Sequence, residues 1–190
     1  PSLQDGTHMN ILDWKRISLP LTDDAVRDMR AGDKLLLSGT IYTARDKAHE
    51  RLASMFCKGE PLPFDTKGQV LYYVGPSPTP PGHVIGSAGP TTSYRMDPFT
   101  EPVLRMGIRG MIGKGRRGME TRNLLREYGA VYLSSFGGAA AFLSERIVSS
   151  TVIAFEDLGP EAIHLLEVRD FPVVVINDVH GGDLYEDAIR

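Results

Sequence analysis

From residue 34 to residue 177, short apolar, β-branched runs alternate with helix-patterned stretches, and no other feature constrains the fold as much. Strands are expected at residues 34–43, 69–74, 110–113, 130–135, 151–155 and 172–177. Helices are expected at residues 23–31, 44–58, 97–107, 118–128, 138–148 and 160–166. Strand–helix–strand spacing of this kind implies right-handed crossovers. The expected class is therefore α/β, with a mostly parallel or mixed central sheet and flanking helices. The boundaries have physical signals. Thr22 is a side-chain cap followed by Asp23 and Asp24, and Gly32 is a stop. Ala48, Leu52, Met55 and Phe56 share one apolar stripe, closed by Gly59. Asp97-Pro98 pairs a cap with proline at the first helical position, and Pro102 should disturb the turns that follow.

With 190 residues, the chain can bury about 70 % of its unfolded surface, enough for one sizeable core. No apolar run reaches the length of about 18 residues that a membrane span needs. The single cysteine, Cys57, rules out an internal disulfide and any metal or iron–sulfur site built from several cysteines of this chain. It lies late in an expected helix beside Phe56 and reads as a small buried hydrophobe rather than a nucleophile. Residues 1–8 read as a non-native remnant ahead of Met9, leaving residues 9–190 as one domain with no signal peptide. Residues 75–82, Gly75-Pro76-Ser77-Pro78-Thr79-Pro80-Pro81-Gly82, could bind an SH3-type module but read better as a stiff surface connection.

The net charge of −3 argues against a dedicated nucleic-acid binder. Its distribution is uneven. Residues 101–126 carry seven bases against Glu101 and Glu120, whereas residues 151–190 carry nine acids against Arg169 and Arg190. A solvated helix face explains most of the arginines, and an anion site is the alternative.

Gly113-Lys114-Gly115-Arg116-Arg117-Gly118 matches the spacing of a dinucleotide-binding loop. However, no acid ends the next strand to hold a ribose, and two bulky arginines fill the turn. The arrangement instead projects Lys114 from the C-terminal end of a strand, where open α/β sheets bind ligands. Gly89-Pro90-Thr91-Thr92-Ser93-Tyr94-Arg95-Met96-Asp97 packs three hydroxyls and a guanidinium into one turn. It is either a self-bonded loop or an oxyanion grip in which Arg95 clamps a carboxylate. Arg45 follows another strand at the start of a helix, with His49 one turn on. Arg45, Thr91, Thr92, Arg95 and Lys114, without a matching cluster of acids, fit a small anion of more than one charge, such as a dicarboxylate. No hydrolase elbow and no paired metal-ligand spacing of histidines is present.

These segments carry a family resemblance. Gly39-Thr40-Ile41-Tyr42-Thr43-Ala44-Arg45-Asp46-Lys47-Ala48-His49, the Gly89–Asp97 turn and Gly113-Lys114-Gly115 resemble the class I, iron–sulfur-dependent fumarate hydratases. Gly137-Gly138-Ala139-Ala140-Ala141, Phe155-Glu156-Asp157-Leu158-Gly159 and Asn177-Asp178-Val179-His180-Gly181-Gly182-Asp183-Leu184-Tyr185 extend the match. The resemblance is to the β subunit, equivalent to the C-terminal domain of single-chain members, and implies a swivelling β/β/α domain. L-tartrate dehydratase β subunits look similar, and a non-catalytic dicarboxylate-binding domain would use the same cations. The resemblance implies a cytoplasmic enzyme of the tricarboxylic acid cycle, in which a partner α subunit binds a [4Fe–4S] cluster and this chain binds none. A higher heteromer is implied, with no nucleic acid or membrane partner. The reaction implied is reversible hydration of fumarate to (S)-malate. By position, Arg45, Thr92, Arg95 and Lys114 match substrate-carboxylate ligands. Thr91 and Lys114 fall at catalytic positions, Thr91 matching a threonine that helps take the proton. Asp46 and His49 fit a supporting layer that orients Arg45. Tyr94 departs from the small residue expected there.

Overall fold

The computed structural model describes residues 11–86, 88–135 and 140–189. The expectations for residues 1–8, Met9 and Gly137-Gly138-Ala139 lie outside the described residues. In chain order the elements are β1 (Lys15–Ser18), α1 (Asp23–Asp28), β2 (Lys34–Thr43), α2 (Asp46–Cys57), β3 (Val70–Tyr72), α3 (Asp97–Arg105) and β4 (Gly110–Gly113). They continue with α4 (Met119–Tyr128), β5 (Val131–Ser135), α5 (Ala140–Glu145), β6 (Ile147–Ala154), β7 (Ile163–Asn177) and α6 (Leu184–Asp187).

The sheet is mixed. Strands β1 to β5 pair as parallel neighbours in sequence order. β7 then runs antiparallel to β5, β6 and β2. Because β7 pairs with both β2 and β5, strands β2, β3, β4, β5 and β7 close into a small barrel, with β1 and β6 outside the ring.

Alternation along the strands sorts the core into two layers. Inside the ring lie Leu35, Leu37, Ile41, Val70, Tyr72, Ile112, Val131, Leu133, Leu166, Phe171, Val173 and Val175. The intervening Tyr42, Leu71, Tyr73, Met111, Tyr132 and Ile176 face outward under α2, α3 and α4, against Leu52, Val103, Leu104 and Leu125.

The α/β class and the mixed sheet agree with the sequence pattern, and residues 34–43 and 110–113 are strands as expected. The Thr22 hydroxyl accepts the Ala25 amide as the cap of α1. Four expectations are corrected. Residues 160–166 do not form an α-helix: a 3₁₀ helix, Glu156–Glu161, ends there and a strand follows. Ile163 opens β7 by pairing with Ala154 of β6, and from Leu165 on β2 pairs the other edge, which overrides an apolar spacing that suits either element. The helix expected at 138–148 ends early: among the described residues it is α5, and Ile147 and Val148 belong to β6. Asp97 opens α3 without capping it; its carboxylate accepts the Gly118 amide instead, and Pro102 is accommodated within the helix. Cys57 is exposed, since α2 buries the face of Ala48, His49 and Leu52.

Candidate active site

Parallel neighbours end at the same side of a sheet, so the turns leaving β2, β3 and β4 meet at one end of the barrel. Beyond β3 the chain makes a wide excursion, of which residues 77–84 are exposed, and returns at Thr91. There the Thr91 amide donates to the Tyr73 carbonyl at 2.6 Å, and the Ser93 amide donates to the Lys114 carbonyl at 2.9 Å. Thr92 and Lys114 form a parallel bridge. The returning segment is thus wedged between the ends of β3 and β4. This approach requires Gly113, because a Cβ there would fall 1.9 Å from Ser93 Oγ.

Arg45 leaves β2 and its side chain crosses Gly75, where a Cβ would lie 2.9 Å from Arg45 Cδ and 3.1 Å from its Nη1. Its Nε is buried without a hydrogen-bond partner. Lys114 is exposed, with no ion pair among the described residues. Arg95 is 45 % exposed, and its Nη2 donates to Asp46 Oδ2 at 2.5 Å. The structure therefore brings Arg45, Thr91, Thr92, Arg95 and Lys114 to one end of the barrel. It assigns Asp46 to Arg95 rather than to Arg45. Tyr94 is exposed on the rim beside them.

His49 acts on Arg45 through the main chain. Its Nδ1 lies 2.8 Å from the Arg45 carbonyl, which can only accept, so Nδ1 carries the proton. Full burial lowers its pKa to about 4; the bond to the Arg45 carbonyl raises it and the Arg117 charge lowers it further. A neutral imidazole therefore fixes the first turn of α2 beneath Arg45.

Residues below this end were not singled out from sequence. The side chain of Arg117 is fully buried and pairs with Asp97 at 2.6 Å. It also donates to Tyr73 Oη at 3.2 Å and Thr100 Oγ1 at 2.9 Å. Burial opposes its charge, but Tyr73, Asp97 and Tyr132 outweigh that, so its pKa stands above the ordinary guanidinium value. Tyr132 Oη lies 2.7 Å from both Ser93 Oγ and the Gly115 carbonyl. The phenol's one proton goes to the carbonyl, which leaves its oxygen to accept from Ser93. Locally Arg116 and Arg117 look alike in sequence, and only the tertiary fold separates the exposed one from the buried one.

Among the described residues, no group of three or more His, Cys, Asp or Glu side chains comes together to hold a metal. No helix among them is long and apolar enough to cross a membrane.

These turns give a small α/β barrel with an open cationic end. Residues 2–188 match the family described as Fumarase C-terminus, and the chain belongs to that family. It is 39 % identical over 160 residues to fumarate hydratase 2 of Leishmania major, covering 83 % of this chain and 28 % of that protein. Against the aerobic class I fumarate hydratase of Escherichia coli K12 it is 38 % identical over 155 residues, again 28 % of the relative's length. The chain thus spans under a third of these fumarate hydratases. It is also 38 % identical over 174 residues to a protein of Methanocaldococcus jannaschii assigned as L(+)-tartrate dehydratase subunit beta, covering 88 % of this chain and 89 % of that one.

Proposed function

We propose that this chain is the carboxylate-holding β subunit of a hydro-lyase that interconverts fumarate and (S)-malate. One observation carries the reading: Arg45, the Thr91–Arg95 segment and Lys114 come from three separate turns yet share one barrel end, where among the described residues the one ion pair made by these cations is that of Arg95 with Asp46. The family match and the class I fumarate hydratase relatives support the reaction class.

In this reading Arg45 and Arg95 clamp substrate carboxylates with two donors each, which an ammonium cannot do. Lys114, with no ion pair among the described residues, adds a positive charge, and Thr92 donates a hydroxyl hydrogen bond. In the dehydration direction a proton leaves C3 of malate while hydroxide leaves C2. The negative charge then builds on the carboxylate beside C3, which the fixed cations stabilise more than they stabilise the ground state. In the same reading the Thr91 hydroxyl helps carry the C3 proton.

The chemistry is completed by a [4Fe–4S] cluster on a partner α subunit, within a higher heteromer in the cytoplasm, as part of the tricarboxylic acid cycle. Held there, such a cluster would supply Lewis-acid chemistry toward the substrate hydroxyl, while the residues of this chain hold the carboxylates. The residues of this chain do not fit such a group: the sole cysteine is exposed on α2 and no ligand set converges among the described residues.

A tartrate dehydratase is the second reading, favoured by the length match to the Methanocaldococcus jannaschii protein. The same carboxylate grip serves both substrates. Anaerobic co-expression with the neighbouring cluster-bearing subunit, followed by assays on fumarate, L-tartrate and mesaconate, tests the proposal. Turnover of fumarate by the complex, and none by this chain alone, is expected. Turnover by the isolated, metal-free chain overturns the two-subunit reading, and preference for tartrate selects the second.

A further inference from the structure

We propose that Arg117, which meets no substrate, is a positioning residue that holds the Thr91–Arg95 segment and the Lys114–Gly115 turn in one fixed relation. The inference rests on the hydro-lyase reading for its kinetic consequence, and on the geometry alone for its mechanical one.

Among the ion pairs of the described residues, Arg117 is the one whose cation is fully buried; the other basic partners are 22–65 % exposed. A pair taken out of water in this way is seldom more stabilising than apolar side chains of the same volume, so its value lies elsewhere. Its contacts show where. Asp97, its partner at 2.6 Å, directly follows Arg95-Met96 and also accepts the Gly118 amide at 2.9 Å. One carboxylate therefore joins the end of the threonine–arginine segment to the end of the lysine turn.

The guanidinium lies 5.3 Å from the Tyr73 ring centroid and 5.0 Å from that of Tyr132. Tyr132 in turn bridges Ser93 Oγ and the Gly115 carbonyl. The same two segments are thus tied a second time, through a different residue. Planarity matters here: Nε, Nη1 and Nη2 reach Asp97, Tyr73 and Thr100 in three directions at once, which a lysine cannot reproduce.

Three variants of this chain in the reconstituted complex test the proposal. Arg117→Met leaves Asp97 without its partner and lowers the melting temperature. The double variant Arg117→Met/Asp97→Asn removes both charges and recovers most of that loss. Its kcat nevertheless stays about 100-fold low, with KM changed much less, as expected when reacting groups are displaced by about an ångström. Arg117→Lys, which keeps the charge, gives an intermediate kcat. A double variant with wild-type kcat at its recovered melting temperature overturns the proposal and leaves Arg117 a structural residue only.

Hydrogen exchange on the full chain separates this outcome from failure of the hydro-lyase reading. The amides of Ser93, bonded to Lys114, and Gly118, bonded to Asp97, are expected to exchange at least 10-fold faster in the double variant. The Val175 amide, bonded to the Asp33 carbonyl where β7 pairs with the start of β2, should keep its protection. If the wild-type complex turns over none of the substrates, the reading fails while the exchange contrast still decides the positioning role. Unchanged exchange at both amides overturns that role whatever the activity.

Discussion

The two sides of this barrel do different work. On the parallel side, β1 to β5 all end at one place, and the turns that follow β2, β3 and β4 carry Arg45, Thr91, Thr92, Arg95 and Lys114. On the antiparallel side, β7 runs the other way, closes the ring against β2 and β5, and fills its interior with Leu166, Phe171, Val173 and Val175. The parallel side gathers charge at a solvent-facing end; the antiparallel strand supplies closure and apolar mass. A residue on one side should therefore affect chemistry without much effect on stability, and a residue on the other should do the reverse.

The largest expected effect lies in the closing strand. Phe171 is fully buried and packs edge-on against Tyr72 with ring centroids 5.5 Å apart. Phe171→Ala should cost about 3–5 kcal/mol of stability, read by urea unfolding. Turnover per folded complex should change little; a large kinetic loss in the folded fraction would break the division between the two sides.

His49 sharpens the comparison, since it lies on the parallel side yet its burial is a stability matter. Its folded pKa of about 4 lies below the ordinary 6.5, so the unfolded chain takes up a proton first as the pH falls. Its contribution is fully present above about pH 6.5 and is lost progressively down to about pH 4. That loss is on the order of 3 kcal/mol. Unfolding free energies measured across this window should fall for the wild type and fall less for His49→Gln. Equal slopes would show that His49 is not held neutral.

On the parallel side, Arg95→Lys keeps the charge but loses the planar fork that serves Asp46 and, in the proposed reading, a substrate carboxylate. Turnover of the complex should fall about 100-fold, close to 2.7 kcal/mol of transition-state stabilisation. The melting temperature should barely move, because an ion pair with a 45 % exposed arginine contributes little. The smallest effect is at Thr22, the cap of α1. Losing the cap in Thr22→Ala should cost about 1 kcal/mol, with kinetics untouched.

The same division governs what could be read in the sequence. β2 was legible because its apolar, β-branched run has one local interpretation, and α4 because Gly118 and Gly129 bracket it. The second half of β7 was legible as the run at 172–177, but its first half was not. Ile163, Leu165 and Leu166 suit a helix or a strand equally, and the β2 partners of Leu165 and Leu166 lie more than a hundred residues away. At the candidate site, the turns bearing Arg45, Thr91, Thr92, Arg95 and Lys114 stood out from composition and position after strands. The pairing of Asp46 with Arg95 did not, since a carboxylate next to Arg45 in sequence points locally to that neighbour. Arg117 was hidden by its resemblance to the exposed Arg116. Its role depends on Asp97, Tyr73 and Tyr132, which come from three other elements or turns.

The most direct test of the central claim is kcat/KM for fumarate in the anaerobically reconstituted complex carrying Arg45→Met, measured beside its melting temperature. Arg45 crosses Gly75 with a buried, unpartnered Nε, so a dicarboxylate-holding role predicts a large kinetic loss. The expected fall is about 100- to 1,000-fold, the scale of one lost donor to developing negative charge. The melting temperature should stay within a few degrees of wild type. Near-normal kcat/KM, or a kinetic loss no larger than the loss of folded complex, would contradict it.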